Sequence, residues 1–194
     1  MTVWANRARI ALVGMPGGGK STVGRQLAKR LHWQFDDSDT LIEKRLGCSI
    51  RSYFASQGES AFRDVEESVI EKAASGDRLV LATGGGAVLR ERNRHALNSR
   101  CHVIYLRSSP EELFRRLRND TTRPLLQVTD PLARLRELFD ERDPLYREVS
   151  HFTVETGRPS VASLVNMVLM QLELAGVIDP DLVPSPVGVP TTPH

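Results

Sequence analysis

Gly14-Met15-Pro16-Gly17-Gly18-Gly19-Lys20-Ser21, followed by Thr22, satisfies the phosphate-loop pattern G-x-x-x-x-G-K-[ST] at every defined position. Arg9-Ile10-Ala11-Leu12-Val13, just before it, is a short apolar run of the kind a buried parallel strand needs. After it, Val23, Leu27 and Leu31 recur at helical spacing, with Arg25, Lys29 and Arg30 on the other faces. Taken alone, the glycines allow a second reading, a flexible turn before an ordinary helix. The flanking strand and helix favour a phosphate site, because a helix start offers unpaired N–H groups and a positive dipole end. Glycines without Cβ let the backbone N–H groups of residues 17–19 turn inward on one anion. Lys20 is then expected to reach the β- and γ-phosphates, Ser21 to offer its hydroxyl to Mg²⁺, and Thr22 to complete the nucleotide contacts.

The chain has 194 residues and a formal net charge of +2. That length suits one domain with a sizeable core. So small a net charge demands neither a nucleic-acid nor an anionic-membrane partner. Arginine is nevertheless abundant, often in segments that read as loops, and the guanidinium fork suits small anions such as phosphates and carboxylates. Cys48 and Cys101 lie far apart without metal-type spacing, and read as reduced, buried thiols. The N-terminus lacks a signal-peptide pattern and Val165–Leu174 is interrupted by Asn166, Gln171 and Glu173, so a cytoplasmic protein is expected. No coiled-coil pattern is visible, and a monomer is the expectation.

Along the chain, strands are expected at 33–35, 78–82, 102–106 and 152–154, alternating with helices. The helices are expected at 40–46, from Ser49, at 58–74, 91–97, 111–118 after Pro110, from Leu132 to a stop at Pro144, and at 161–174. This alternation predicts a parallel α/β sheet covered on both faces. Residues 119–129 form a polar loop long enough to be a lid. The domain is expected to occupy residues 1–176, and the proline-rich segment 177–194 to be a tail without a core of its own.

A phosphate loop says nucleotide, not reaction. Asp37-Ser38-Asp39 follows the second strand candidate, where open parallel sheets bind ligands. One carboxylate there could hold Mg²⁺ through water and the other could accept a hydrogen bond from an alcohol. Equally, Ser38 or Asp39 could simply cap the next helix. Arg63, in Gly58-Glu59-Ser60-Ala61-Phe62-Arg63, could bind an anion or pair with Glu66 or Glu67 at the surface. Gly84-Gly85-Gly86 at a strand end implies either a close approach to a ligand or a plain tight turn.

Taken together, the phosphate loop, D-x-D at 37–39, G-E-x-x-F-R at 58–63, G-G-G-A at 84–87, R-P-L-L at 123–126 and R-x-P-L-Y at 142–146 resemble shikimate kinase. The resemblance runs from about residue 8 to 175. It implies a P-loop kinase fold of the nucleoside monophosphate kinase type, with five parallel strands, a helical substrate-binding region and a lid. It implies transfer of the ATP γ-phosphate to the 3-hydroxyl of shikimate. By the same similarity Asp39 binds shikimate hydroxyls and is the candidate base, and Asp37 with Ser21 supports Mg²⁺. Arg63 and Arg142 would clamp the shikimate carboxylate, and Gly84, Gly85 and Gly86 would meet the substrate through backbone. Arg123 would swing in with the lid, and Arg116 and Arg158 would flank adenine, although Glu155-Thr156-Gly157-Arg158-Pro159 fits the family loosely. The rivals are a gluconate or nucleotide kinase of the same architecture, and a nucleotide-binding module without catalysis.

Overall fold

The computed structural model describes residues 9–119, 127–179 and 181. Five parallel strands form one sheet in the order β2-β3-β1-β4-β5: β1 Arg9–Val13, β2 Gln34–Asp37, β3 Leu79–Ala82, β4 His102–Arg107 and β5 Phe152–Glu155. Among the described residues, seven α-helices connect and cover them: α1 Lys20–Leu31, α2 Ser38–Leu46, α3 Ile50–Ala73, α4 Glu91–Arg100, α5 Pro110–Leu117, α6 Pro131–Val149 and α7 Val161–Leu174. The expected five-stranded α/β architecture is therefore present.

The continuous apolar run of β1 follows from its central place in a sheet buried on both faces. Ala11 and Val13 face one cluster with Ile70, Leu97, Leu138 and Tyr146 of the α3, α4 and α6 layer. Ile10 and Leu12 face the opposite cluster, where Val23 and Leu27 of α1 meet Val168 and Leu172 of α7. The second cluster continues past α7 to Ile178, with Val177 packed against it. In α1 the apolar stripe is completed by Gly24, where an added Cβ would lie 2.6 Å from the Phe35 ring and 3.2 Å from Leu12.

Strand register brings the functional segments to one edge. Asp37 pairs with Ala82, Leu12 with Ala82 and Ile104, and Val13 with Tyr105. The segments that leave β1, β2 and β3 at their carboxyl ends are thus level with one another. Here lie the phosphate loop, Asp37-Ser38-Asp39 and Gly84-Gly85-Gly86.

Several local expectations need correction. β2 starts at Gln34 and carries both Asp36 and Asp37 inside the strand, rather than ending at Phe35. α3 spans the two helices expected there, and the break between them persists at Gly58, whose φ of 82° and ψ of 174° are not helical. α6 does not stop at Pro144 but continues to Val149. Proline in a helix interior costs roughly 3 kcal/mol. Beyond it, Tyr146 and Val149 are both buried, and burying a large apolar side chain returns about 1.5–3 kcal/mol. Packing therefore carries the helix through. Cys101 is buried as expected, but Cys48 is exposed, because it sits in the turn between α2 and α3. Pro110 does occupy the first turn of α5, behind a capping box between Ser109 and Glu112. Among the described residues, no helix is long and apolar enough to cross a membrane.

Gly24→Val would push a branched side chain into Phe35 and Leu12. We expect a stability loss of about 1–3 kcal/mol, read as a lowered denaturant midpoint with an unchanged slope.

Candidate active site

The phosphate loop forms a cradle by specific backbone means. Gly17 and Gly19 adopt φ of 78° and 88°, a left-handed conformation that side chains disfavour. Gly18 donates its N–H to the Met15 carbonyl at 3.1 Å, so that amide closes the loop on itself. Lys20 opens α1 and folds back, its Nζ donating to the carbonyls of Gly14 and Met15 at 2.8 Å each. An ammonium held over the loop mouth, with its side chain largely buried, is where a phosphate oxygen would be met.

A cleft of about 340 Å³ opens from this cradle, lined by Pro16, Gly17, Gly19, Lys20, Ser21, Thr22, Asp37, Asp39, Thr83, Gly84, Gly85 and Leu117. The phosphate loop, both acidic residues and two of the glycines expected at the site thus share one cavity. Ser21 donates its hydroxyl to Asp37 Oδ2 at 2.5 Å. Asp37 Oδ1 accepts from the backbone of Asp39 and Thr40 at 3.0 and 3.4 Å, making Asp37 the cap of α2. The capping expected of Ser38 or Asp39 is therefore supplied by Asp37, which leaves the Asp39 carboxylate directed to the cleft. Ser38 is buried and accepts from the Gly84 N–H at 2.9 Å, tying α2 to the loop after β3.

Asp39 is accessible from the open side of the cleft but walled by protein on its others. Its pKa is raised above the ordinary 3.8, first by that desolvation and then by Asp37, against the opposing pull of Lys20 and Arg63. It therefore holds a proton more readily than a free aspartate.

The glycine triplet explains how the cleft joins a second group of charges. A Cβ on Gly84 would lie 2.7 Å from Asp39 Oδ1 and 3.4 Å from Glu66 Oε1. One on Gly85 would lie 2.6 Å from the Pro16 ring, and one on Gly86 would meet the Arg63 guanidinium. The close approach expected of these glycines is thus to the side chains of the site itself. Tyr146 of α6 then fixes the loop by donating its hydroxyl to the Gly85 carbonyl at 2.6 Å.

Arg63 does pair with Glu66, at 2.6 Å, but not at the surface: the two side chains are 12% and 1% exposed. The Glu66 pKa is raised by burial and held down by Arg63 and, more weakly, by Arg142. Arg142, on α6, also interacts with the Tyr146 hydroxyl. Both arginines of the expected clamp therefore act on one buried carboxylate, Arg63 by direct contact and Arg142 more weakly through its charge. Among the described residues, the Nε atoms of Arg63 and Arg142 are buried without a hydrogen-bond partner. Arg63 also meets Glu59 Oε1 at 3.3 Å, so what the two guanidinium groups offer an acidic ligand is their planar, directional donors rather than a surplus of charge.

Glu66 and Tyr146 escaped the sequence reading as site residues. Glu66 sits three residues after Arg63, a spacing that pairs side chains on a helix, but its burial is a tertiary fact. Arg116 and Arg158 stand outside the cleft lining. Arg116 donates to the Thr156 carbonyl at 2.7 Å and so pins the loop that carries the exposed Arg158. Arg123, in the segment 120–126, lies outside the described residues, as do Pro180 and the tail from 182.

A family model described as shikimate kinase matches residues 16–173. The chain belongs to the shikimate kinase family. The shikimate kinase of Paracidovorax citrulli is 57% identical over 174 residues, covering 88% of this chain and 95% of that one. The shikimate kinase of Ralstonia nicotianae is 52% identical over 179 residues, covering 92% and 94%. Among solved structures, the shikimate kinase from Acinetobacter baumannii in complex with shikimate matches with a TM-score of 0.83 at 43% identity, covering 91% of this chain and 98% of that one. A gluconokinase from Sinorhizobium meliloti matches with a TM-score of 0.54 at 16% identity, a likeness of fold alone.

Gly85→Ala would drive a Cβ into Pro16 and displace the phosphate loop. A weaker ATP affinity together with a stability loss of about 1–3 kcal/mol is the expected result, measured by nucleotide titration and thermal unfolding of the same variant.

Proposed function

We propose that the chain is a shikimate kinase that transfers the ATP γ-phosphate to the 3-hydroxyl of shikimate, releasing shikimate 3-phosphate and ADP. The observation that carries the acceptor assignment is the buried Arg63–Glu66–Arg142 group beside Asp39 and the phosphate loop. Shikimate bears one carboxylate and three hydroxyls, so its site needs a cationic fork and an acceptor within one molecule's reach. Arg63 and Arg142 supply the fork, with their buried Nε atoms as further donors. Asp39 supplies the acceptor, and the backbone of residues 84–86 borders both. A neutral polyol would have no use for two guanidinium groups.

Phosphoryl transfer asks mainly for positioning and charge stabilisation. In this reading the amides of Gly17 and Gly19, with those at the start of α1, cradle the phosphates. Lys20 exchanges its loop carbonyls for β- and γ-phosphate oxygens. Asp39 orients the acceptor hydroxyl and takes its proton. By the family resemblance, Arg123 would meet the transferred phosphate, and Arg116 and Arg158 would border the adenine.

The oxygens of Ser21 and Asp37, 2.5 Å apart in the cleft, are hard donors of the kind Mg²⁺ prefers. Among the described residues no cluster of three or more His, Cys, Asp or Glu could cage a metal. That is the pattern for an ion taking most of its ligands from phosphate and water. Ser21, with Asp37 through water, would hold it. When bound, Mg²⁺ neutralises charge on the phosphates. An exposed, free Cys48 thiol suits a reducing cytoplasm.

Arg142→Ala and Arg63→Lys test the clamp, the lysine keeping a charge beside buried Glu66. Losing a charged hydrogen bond costs about 1.5–3 kcal/mol, so the shikimate KM should rise about ten- to a hundredfold while the ATP KM holds. Parallel rises in both constants would remove the assignment. Asp39→Asn should keep ATP binding and lose about 10²- to 10⁴-fold in kcat. In the parent enzyme, kcat/KM for the acceptor should fall on acidification with a midpoint above 3.8, because protonation of an Asp39 of raised pKa removes the acceptor in the free enzyme. A pH–rate profile without that acidic limb would exclude Asp39 as the base.

A further inference from the structure

The buried polar network that the reaction has not used lies behind the clamp. Asp143, next to Arg142 on α6, accepts three hydrogen bonds from three side chains. Tyr105 donates its hydroxyl at 2.7 Å, Arg107 its Nε at 3.0 Å and Arg147 its Nε at 2.8 Å. Tyr105 and Arg107 belong to β4, which lies between β1 and β5 in the sheet, and Arg147 lies one turn further along α6. Tyr105 is wholly buried, and its ring packs on that of Tyr146 with centroids 5.0 Å apart. Arg107 stacks over Phe139 of α6 and also pairs with Glu155 of β5.

The placement is unusual because the next residue is Pro144. A proline inside a helix removes the hydrogen bond that its N–H would give to the carbonyl four residues back, here that of Asp140, and weakens the local backbone. At that turn, side chains must do what the backbone ladder does elsewhere. Asp143 strapped to β4 fixes the rotation of α6 about its axis. That rotation sets the placement of Arg142, which shares α6, and of Tyr146, whose hydroxyl reaches the Gly85 carbonyl.

We propose that Asp143 is a positioning residue for the acceptor. Held by Tyr105 and Arg107, it sets the turn of α6 that aims Arg142 at the substrate carboxylate and Tyr146 at the glycine loop. It touches no substrate itself. The inference rests on the clamp role of Arg142 proposed above. A residue serving only stability would affect both substrates alike or neither, whereas Asp143 neighbours Arg142 directly and reaches the phosphate loop only through Tyr146 and Gly85, so the acceptor half of the cleft responds more strongly.

Steady-state kinetics of the full chain test this with Asp143→Asn, Tyr105→Phe, the double variant and Arg142→Ala, each with a thermal unfolding curve. Asp143→Asn should raise the shikimate KM about tenfold with the ATP KM within twofold. Tyr105→Phe, a mild change that keeps the ring packing, should raise it less and in the same direction. The double variant should match Asp143→Asn rather than the product of the two, since both act through one strap. A lowered melting temperature with an unchanged shikimate KM, or equal rises in both KM values, would overturn the proposal. Arg142→Ala separates the two levels. If it raises the shikimate KM while Asp143→Asn does not, the positioning role alone fails. If Arg142→Ala has no effect on the shikimate KM, the clamp fails and the positioning role with it.

Discussion

The architecture of the site depends on a stretch of backbone that must pass between four groups without side chains of its own. Gly84, Gly85 and Gly86 run off the end of β3 against Asp39, Pro16 and Arg63, and Tyr146 caps the Gly85 carbonyl from α6. Each neighbour belongs to a different element, so this one loop sets their mutual distances. Any Cβ there would force a wall of the cleft outward. Interiors packed near crystal density transmit such displacements rather than absorbing them. The loop thereby couples the nucleotide half of the site to the acceptor half.

Charge is arranged around the same loop with an economy that the family's chemistry explains. Glu66 is buried against Arg63, and a buried ion pair stabilises a fold only weakly once desolvation is included. Its value here is orientation: it holds Arg63 by one side of the guanidinium while Nε remains buried and unused. Asp37 does two tasks in the same manner, capping α2 with one oxygen and holding Ser21 with the other. Asp39, one step into the helix, is freed from capping, and its carboxylate faces the cleft.

Much of this was legible beforehand, and the reasons are physical. The phosphate loop could be read because a tight turn, a backbone cradle and a helix start demand particular residue types at fixed spacing. Strands β1, β3 and β4 were legible because strands buried on both faces are apolar throughout. Pro144 misled because local propensity speaks for one turn of helix, whereas Tyr146 and Val149 bury surface beyond it. β2 misled because its last residues are acidic, yet they pair with Leu81 and Ala82 as strand. Cys48 misled because thiols are usually buried, and only the α2–α3 turn reveals its exposure.

By itself, the order of residues settled the nucleotide cradle, the alternating α/β plan and the residue types a kinase for an acid-bearing alcohol would need. Those features are written in short-range spacing, which a linear chain carries directly. The burial of the Arg63–Glu66 pair, the approach of Arg142 from α6 and the strap from Asp143 to Tyr105 were decided by folding alone. They join residues up to 79 positions apart, as Arg63 and Arg142 are, and burial and direction at such range arise only when helices dock on a sheet.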